Sequence, residues 1–230
     1  MNATRIEYLN FTWSPLVGCS GANCAVYAKC WAKYQAKRQL HKCPLCYEFK
    51  PHTHFERLQQ PFQVKSSKRI GVCFSADMWD SGFSHEQQST VLNSVWNAPW
   101  HWFINLTKQP QNIPKGWNLP SNWIQGVSVN RKEDLLRIDV LRKTKAPLKM
   151  ISFEPLYEDL GTPDLAGIDW VIIGAQTHPL ILPKTVWVDN LVCASIAKNI
   201  PVFMKNNLKD LQRGIVQQYP KLLLQAKEVA

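Results

Sequence analysis

Five of the chain's seven cysteines fall between residues 19 and 46, spaced C-x4-C-x5-C-x12-C-x2-C. Cys19, Cys24 and Cys30 share one short segment, and Cys43 and Cys46 form a close pair further on. Thiolates crowded in this way repel one another unless a soft cation or an iron–sulfur cluster sits among them. A disulfide staple, a structural zinc site and an iron–sulfur cluster are the three chemistries open to them. Disulfides need an oxidising compartment, and the opening residues, Met-Asn-Ala-Thr-Arg-Ile-Glu, carry no apolar signal core. A cytosolic setting is therefore expected, and it turns the reading toward a metal. All five cysteines are candidate ligands, with a cluster favoured and zinc an alternative at Cys43 and Cys46. A zinc site built from Cys24, Cys30, Cys43 and Cys46 is also chemically sound. His52 and His54 lie nearby, where one of them could complete a zinc site, and they read more simply as polar loop residues. Cys73 and Cys193 lie in apolar runs and read as small core residues.

Something must hold these thiols in place. Residues 5–17 contain a short β-favouring run closed by Pro15 and Gly18, so the cysteine segment follows an expected first strand. Trp31 to Leu40 has good helix formers, with Trp31, Tyr34 and Arg38 along one side. From residue 68 onward, strand-length apolar runs recur at 70–77, 102–108, 123–129, 148–155, 170–174 and 201–206. They are continuous rather than alternating, which is the pattern of strands buried on both faces of a parallel sheet. Helices fit between them. Ser84 and Gln87 make a capping box ahead of Val91, Leu92, Val95 and Trp96. A second helix presents Leu135, Ile138 and Leu141, and a third, over 186–199, turns Val188, Leu191, Val192 and Ile196 inward. Strand–helix alternation predicts an α/β fold with a parallel sheet, open or barrel-like. One domain is expected over residues 1–207, followed by a basic, helical C-terminal tail over 208–230.

In such folds ligands gather at the carboxyl ends of the strands. Those ends carry Cys19, Asp77, Thr107 and Lys108, Ser128, Glu154, Gln176, and Lys205 with Asn206. Asp77 reads as the pocket carboxylate and Asp80 as a surface residue. The formal charge is +10, from 27 Lys and Arg against 17 Asp and Glu, a surplus that favours polyanionic partners. Ten tryptophans are enough to fill core positions and still leave rings beside basic residues for stacking on bases. No apolar run approaches membrane-spanning length.

Several ordered blocks resemble a known family. Phe11-Thr-Trp-Ser-Pro-Leu-Val-Gly-Cys19, the run from Cys30 to Arg38, and Phe55-Glu-Arg-Leu-Gln-Gln-Pro61 are similar to the three-Cys-motif family found in phages, bacteria and archaea. Ser75-Ala-Asp77, Leu106-Thr-Lys108-Gln-Pro110, Gly126-Val-Ser128, Ser152-Phe-Glu154-Pro, Ile168 to Gly174 and Pro201 to Lys205 match its later blocks in order. That family looks like a compact relative of the radical S-adenosylmethionine enzymes. The resemblance implies a partial (β/α) barrel of about six strands with a Cys-rich N-terminal loop. It also implies a [4Fe–4S] cluster on Cys19, Cys24 and Cys30, with the remaining iron free to bind S-adenosylmethionine and cleave its sulfonium by one-electron transfer. Cofactor contacts would come from Ser75, Thr107, Ser128, Glu154 and Gly174, and catalytic groups from Asp77, Lys108, Glu154 and Lys205. The spacing here departs from the C-x3-C-x2-C usual in that superfamily.

Three functions follow as expectations. The favoured one is a radical enzyme acting on nucleic acid, in base modification or lesion repair, served by a reductase or accessory protein. The second is a non-catalytic nucleic-acid-binding protein stabilised by zinc or a cluster. The third is a metal-dependent nuclease using Asp77 and Glu154.

Overall fold

The computed structural model describes residues 1–21, 24, 26–39, 42–177, 179–211 and 214–225. Its strands are β1 (Asn2–Ala3), β2 (Phe11–Trp13), β3 (Leu16–Val17), β4 (His52–Thr53), β5 (Arg69–Val72), β6 (Trp102–Thr107), β7 (Trp123–Ser128), β8 (Leu148–Phe153), β9 (Trp170–Ile173), β10 (Gln176–Thr177), β11 (Leu180–Ile181) and β12 (Val202–Met204). The helices are α1 (Trp31–Ala36), α2 (Pro44–Glu48), α3 (His85–Trp96), α4 (Leu136–Arg142), α5 (Thr185–Ile196) and α6 (Lys221–Leu224), with short 3₁₀ turns between.

One mostly parallel sheet dominates, in the order β1-β2-β5-β6-β7-β8-β9-β12. Only β1 runs antiparallel to its neighbour. The sheet thus has eight strands rather than six, and β1 and β12 stand at its two edges, so it is open among the described residues. Every parallel strand from β2 onward lies beside its predecessor in this sheet, which is the order produced by repeated right-handed crossovers.

Both faces of the sheet are covered, which accounts for the continuous apolar runs. On one face Ile70, Val72, Phe103 and Trp123 pack against Val91, Leu92 and Val95 of α3. Further along that face Val127, Ile151, Phe153, Val171, Val202 and Met204 meet Ile138 and Leu141 of α4 and Val188 and Leu191 of α5. The other face, with Ile104, Ile124, Met150, Trp170, Ile172 and Phe203, is closed by Tyr8, Leu9 and Leu223, with Tyr219 alongside. The two chain ends therefore meet over one side of the sheet.

The Ser84–Gln87 capping box starts α3, the serine hydroxyl accepting Gln87 N–H at 3.2 Å and the glutamine side chain accepting Ser84 N–H at 2.8 Å. Some inward assignments fail at helix ends. Trp96 is 49% and Ile196 65% exposed, because Val95 and Ser195 take the buried positions in the same turns and the next residue is rotated about 100° away from them. Cys193 is exposed, whereas Cys73 is buried in the core. On α1, Ala32 and Ala36 are the buried residues, while Trp31 and Tyr34 face outward. The C-terminal segment is not a continuous helix. Met204 N–H reaches Val216 O and Gln218 N–H reaches Val202 O, so the chain doubles back along β12 before the single turn of α6. The expected helical residues Leu40, Gln212, Arg213 and those beyond 225 lie outside the described residues. No described helix is long and apolar enough to cross a membrane.

Candidate functional site

The cysteines divide into two groups. Cys43 starts α2 as its N-cap, its sulfur 3.5 Å from the N–H of Cys46 one turn on. Phe49 ends that helix in the left-handed conformation, at φ 59°, and turns the chain back into β4. Alternate residues of a strand share a face, so β4 and the residue after it aim His52 and His54 at the same side. The result is a four-residue constellation of Cys43, Cys46, His52 and His54, whose ligand atoms all lie within 4.8 Å of one another. Both imidazoles present Nε2: His52 stands 3.6 Å from Cys43 Sγ and 3.3 Å from Cys46 Sγ, and His54 stands 3.1 Å from Cys46 Sγ. The two histidines therefore belong to a possible metal centre rather than to a solvated loop. The expected four-cysteine zinc site is corrected accordingly, because strand pairing brings imidazoles to Cys43 and Cys46 instead of Cys24 and Cys30.

Burial pushes the Cys46 thiol up to about 11, and a bound cation is what would hold it as the thiolate. Burial also lowers the His54 pKa, partly offset by the Glu56 carboxylate, and keeps the ring neutral as a ligand requires.

Cys19, Cys24 and Cys30 stand apart from that group. Leu16 and Val17 of β3 pair with β4, and Gly18 bridges to Ala76, which carries the chain to the carboxyl end of the sheet. Cys19 N–H donates to Phe49 O at 3.3 Å, and Cys30 N–H closes the 3₁₀ turn over Tyr27 before α1. Cys19 and Cys30 both border the small apolar cluster of Ala32, Ala36 and Phe49. Val26 of the same segment lines a small pocket with Lys108, Asn130, Arg131 and Arg137, beside the ends of β6 and β7.

Asp80, expected on the surface, is fully buried and fastens this loop. Its two oxygens accept from Ser20 N–H at 3.2 Å, Ser20 Oγ at 2.7 Å, Gly82 N–H at 2.8 Å, Gln109 Nε2 at 2.8 Å and the Cys19 thiol at 3.3 Å. Burial raises its pKa, but the hydrogen bonds from Ser20, Gly82 and Gln109 outweigh that and hold it below the usual value. Cys19 goes the other way, pushed up to about 12 by burial and the neighbouring carboxylate, with Gly21 N–H pulling against them.

Gly18 makes this docking possible. Its φ of +86° suits glycine, and a Cβ there would stand 2.1 Å from Lys50 O. Gly18→Ala is expected to cost about 1–2 kcal/mol for the backbone conformation alone. The clash with a carbonyl adds to it, for a total near 3 kcal/mol or more, the range of special backbone strain. Urea unfolding at pH 7 measures it.

The strand-end residues fall into a structural set and an open set. Asp77 accepts from Thr107 Oγ1 at 2.7 Å, Lys108 N–H at 2.8 Å and Trp79 N–H at 3.1 Å, so Asp77 and Thr107 spend their polar atoms on each other. Burial raises the Asp77 pKa against those bonds. Ser128 is buried, and its carbonyl is held by Arg137 at 2.8 Å. Ser75 lines a cavity of about 530 Å³ between α1 and the sheet edge, with Thr12, Ser14, Trp31, Gln35 and Arg57.

Glu154 and Lys205 are brought together, their charged atoms 2.5 Å apart, and Glu7 joins them at 3.6 Å from Lys205 Nζ. Glu7 was missed because 199 residues separate it from Asn206, whose N–H it accepts at 3.0 Å. Gly174 sits beneath the pair: a Cβ there would lie 3.0 Å from Glu154 Cγ and 3.2 Å from Lys205 Cδ. Burial works against the charge on Lys205, but the two carboxylates win and raise its pKa. Lys108 is also close enough to Glu154 to oppose the rise in its pKa, so two ammonium groups act on this carboxylate.

No curated protein and no solved structure matches the chain. A family model does, over residues 3–220, and it spans the sheet, both cysteine groups and the Glu7–Glu154–Lys205 cluster. The chain belongs to that family, described as protein of unknown function DUF5131.

Proposed function

We propose that the chain is an iron–sulfur enzyme of the radical S-adenosylmethionine type acting on nucleic acid. The observation that carries this reading is the division of the cysteines. With Cys43 and Cys46 facing His52 and His54, three thiols remain on the loop at the carboxyl end of the sheet. Three soft donors, with the other pair engaged elsewhere, fit a cluster that keeps one iron without a protein ligand. Thiolates on three separate irons stand further apart than ligands of a single ion, and Cys19, Cys24 and Cys30 do not form a single-ion group among the described residues.

We read the sequentially ordered sheet as a partial barrel whose inner face carries Glu154, Gly174 and Lys205. When bound, the cluster supplies the electron for reductive cleavage of the cofactor's sulfonium. This chain's own part is binding and orientation. Cys19, Cys24 and Cys30 hold the iron, and Gly21 N–H, 3.4 Å from Cys19 Sγ, stabilises charge on that sulfur. Glu7 and Glu154 attract the cofactor's ammonium and sulfonium, and Lys205 keeps the two carboxylates from repelling each other. The electron comes from a reductase or accessory protein.

For the substrate, the support is the +10 charge together with exposed Trp31 and Tyr34 on a segment that also carries Lys33, Lys37 and Lys42. The nuclease reading gains nothing from the geometry, since three donors already occupy Asp77.

The test is anaerobic purification with iron and acid-labile sulfide analysis. About four of each per chain are expected, with bleaching by dithionite and a spectral change on adding S-adenosylmethionine. Cys24→Ser should abolish both, and Cys193→Ser, outside both cysteine groups, should not. Protein with no sulfide overturns the reading and leaves nucleic-acid binding without catalysis, which Glu154→Ala would not impair.

A further inference from the structure

We infer that Cys43, Cys46, His52 and His54 hold one zinc ion, separate from the three-cysteine loop, and that this ion sets the position of Cys19. The donor set is two thiolates and two imidazoles, a soft-and-borderline mixture that selects zinc among common divalent ions.

The distances fit a single tetrahedral ion. Bonds of about 2.3 Å to sulfur and 2.0–2.1 Å to nitrogen give tetrahedral edges of about 3.6 Å between S and N, and about 3.3 Å between two nitrogens. Three of the four sulfur–nitrogen distances are 3.6, 3.3 and 3.1 Å, the two Nε2 atoms are 3.0 Å apart, and no two of the four ligand atoms are more than 4.8 Å apart. A two-iron cluster with mixed ligation places its cysteines and histidines on different irons, which is incompatible with a Cys46 sulfur this close to both imidazoles.

The outer partners are in place as well. His52 Nδ1 is 2.8 Å from Lys50 O, and His54 Nδ1 is 2.7 Å from Glu56 Oε1. Each Nδ1–H is thereby donated away from the site, and each Nε2 lone pair is left for the metal, the arrangement that tunes zinc-bound histidines. All four positions are filled by protein, which makes the ion structural rather than catalytic.

The link to Cys19 runs through the five residues between Cys46 and His52. Between Cys46 and His52 the chain passes Phe49, whose carbonyl accepts Cys19 N–H, and Lys50, whose carbonyl lies against Gly18. His52 and Thr53 also pair directly with Val17 and Leu16. A metal that ties Cys43 and Cys46 to His52 and His54 closes this turn and fixes the two carbonyls on which the Gly18–Cys19 backbone rests.

The experiment uses the full chain purified in air, so that zinc is scored without an oxygen-sensitive cluster. One zinc per chain is expected to survive dialysis, and Co²⁺ exchanged into the stripped protein should give the absorption of a tetrahedral site with two thiolates. Cys24→Ser/Cys30→Ser should keep the zinc. Glu56→Gln, which leaves all four ligands, should weaken zinc binding about 10- to 100-fold. Folded protein without zinc, or zinc lost in Cys24→Ser/Cys30→Ser, overturns the site. For the positioning role, the rate of Cys19 alkylation is followed by mass spectrometry, with zinc bound and after chelation. At least a tenfold rise on chelation is expected, and an unchanged rate would make the ion a local staple with no hold on Cys19. Both are read on protein purified in air, whose loop thiols carry no intact cluster, so neither result tests the cluster reading of the loop.

Discussion

Lys205→Met is expected to lower the unfolding free energy by about 3–5 kcal/mol at pH 7, the usual cost of removing one partner from a buried ion pair. Lys205, Glu154 and Glu7 retain only 13%, 19% and 20% of their side-chain exposure, so water screens the remaining carboxylates poorly. The sign of the pH dependence follows from the shifts. Lys205 has a raised pKa in the folded state, so its contribution is complete below the ordinary lysine value and is lost as the pH climbs through the raised one. Glu154 also has a raised pKa, chiefly through burial. Without the ammonium, the folded chain takes up a proton at Glu154 more readily than the unfolded chain, so the variant's deficit should shrink between pH 7 and pH 5. Lys205→Met/Glu154→Gln should recover most of the loss, because the uncompensated charge goes with it. Urea denaturation of the three proteins across that pH range measures the coupling. An equal deficit at both pH values would mean that packing of the lysine stem, not charge, is what was lost.

The second large effect is at Asp80. Asp80→Ala removes the acceptor that Ser20, Gly82 and Gln109 share, at a cost of about 1–3 kcal/mol for a buried donor left unmet. A net destabilisation near 4 kcal/mol is expected, together with release of the Ser20 end of the cysteine loop, read as faster amide exchange at Ser20 and Gly21. Asp80→Asn should restore only part, since both carboxylate oxygens accept here and the amide replaces one acceptor with a donor. Because the hydrogen bonds hold the Asp80 pKa below its ordinary value, its contribution is present above about pH 4 and is lost as the pH falls through the folded value. Wild type and Asp80→Ala should therefore converge in stability in strong acid.

The sheet was legible because its signal is local. Residues buried on both faces are mostly apolar, so β6, β7, β8, β9 and β12 appear as apolar runs, broken only at positions such as Asn105, Gln125 and Lys149. The Ser84–Gln87 cap is equally local and equally readable. Pairings over long separations are not. Nothing around Asp80 marks it as the partner of Ser20, 60 positions earlier, and nothing around Glu7 marks it as a neighbour of Lys205. The histidines are an intermediate case. C-x2-C followed by H-x-H is a recognisable ligand spacing, but it becomes a site only if the second pair is extended, because two residues apart share a face on a strand and not on a helix. β4 is two residues long, too short for a periodicity to declare itself. Trp96 and Ile196 mislead because they flank the apolar stripe: in the same turns Val95 and Ser195 take the buried positions.

The meeting of the chain ends over one face of the sheet has a consequence for synthesis. Each parallel strand of the large sheet can join its predecessor as it leaves the ribosome, so most of the sheet is able to grow in the order it is translated. Its other face cannot be finished that way. Trp170 and Phe203 wait for Tyr219, and Leu223 completes the cluster that Tyr8 and Leu9 began. Until those residues emerge, a band of large apolar side chains stays wet, and the Glu7–Lys205 contact has one partner made early and one made late. A nascent chain stalled after β12 would hold nearly every strand and still expose that band, and it is at this stage that the molecule should be most exposed to aggregation and to capture by chaperones.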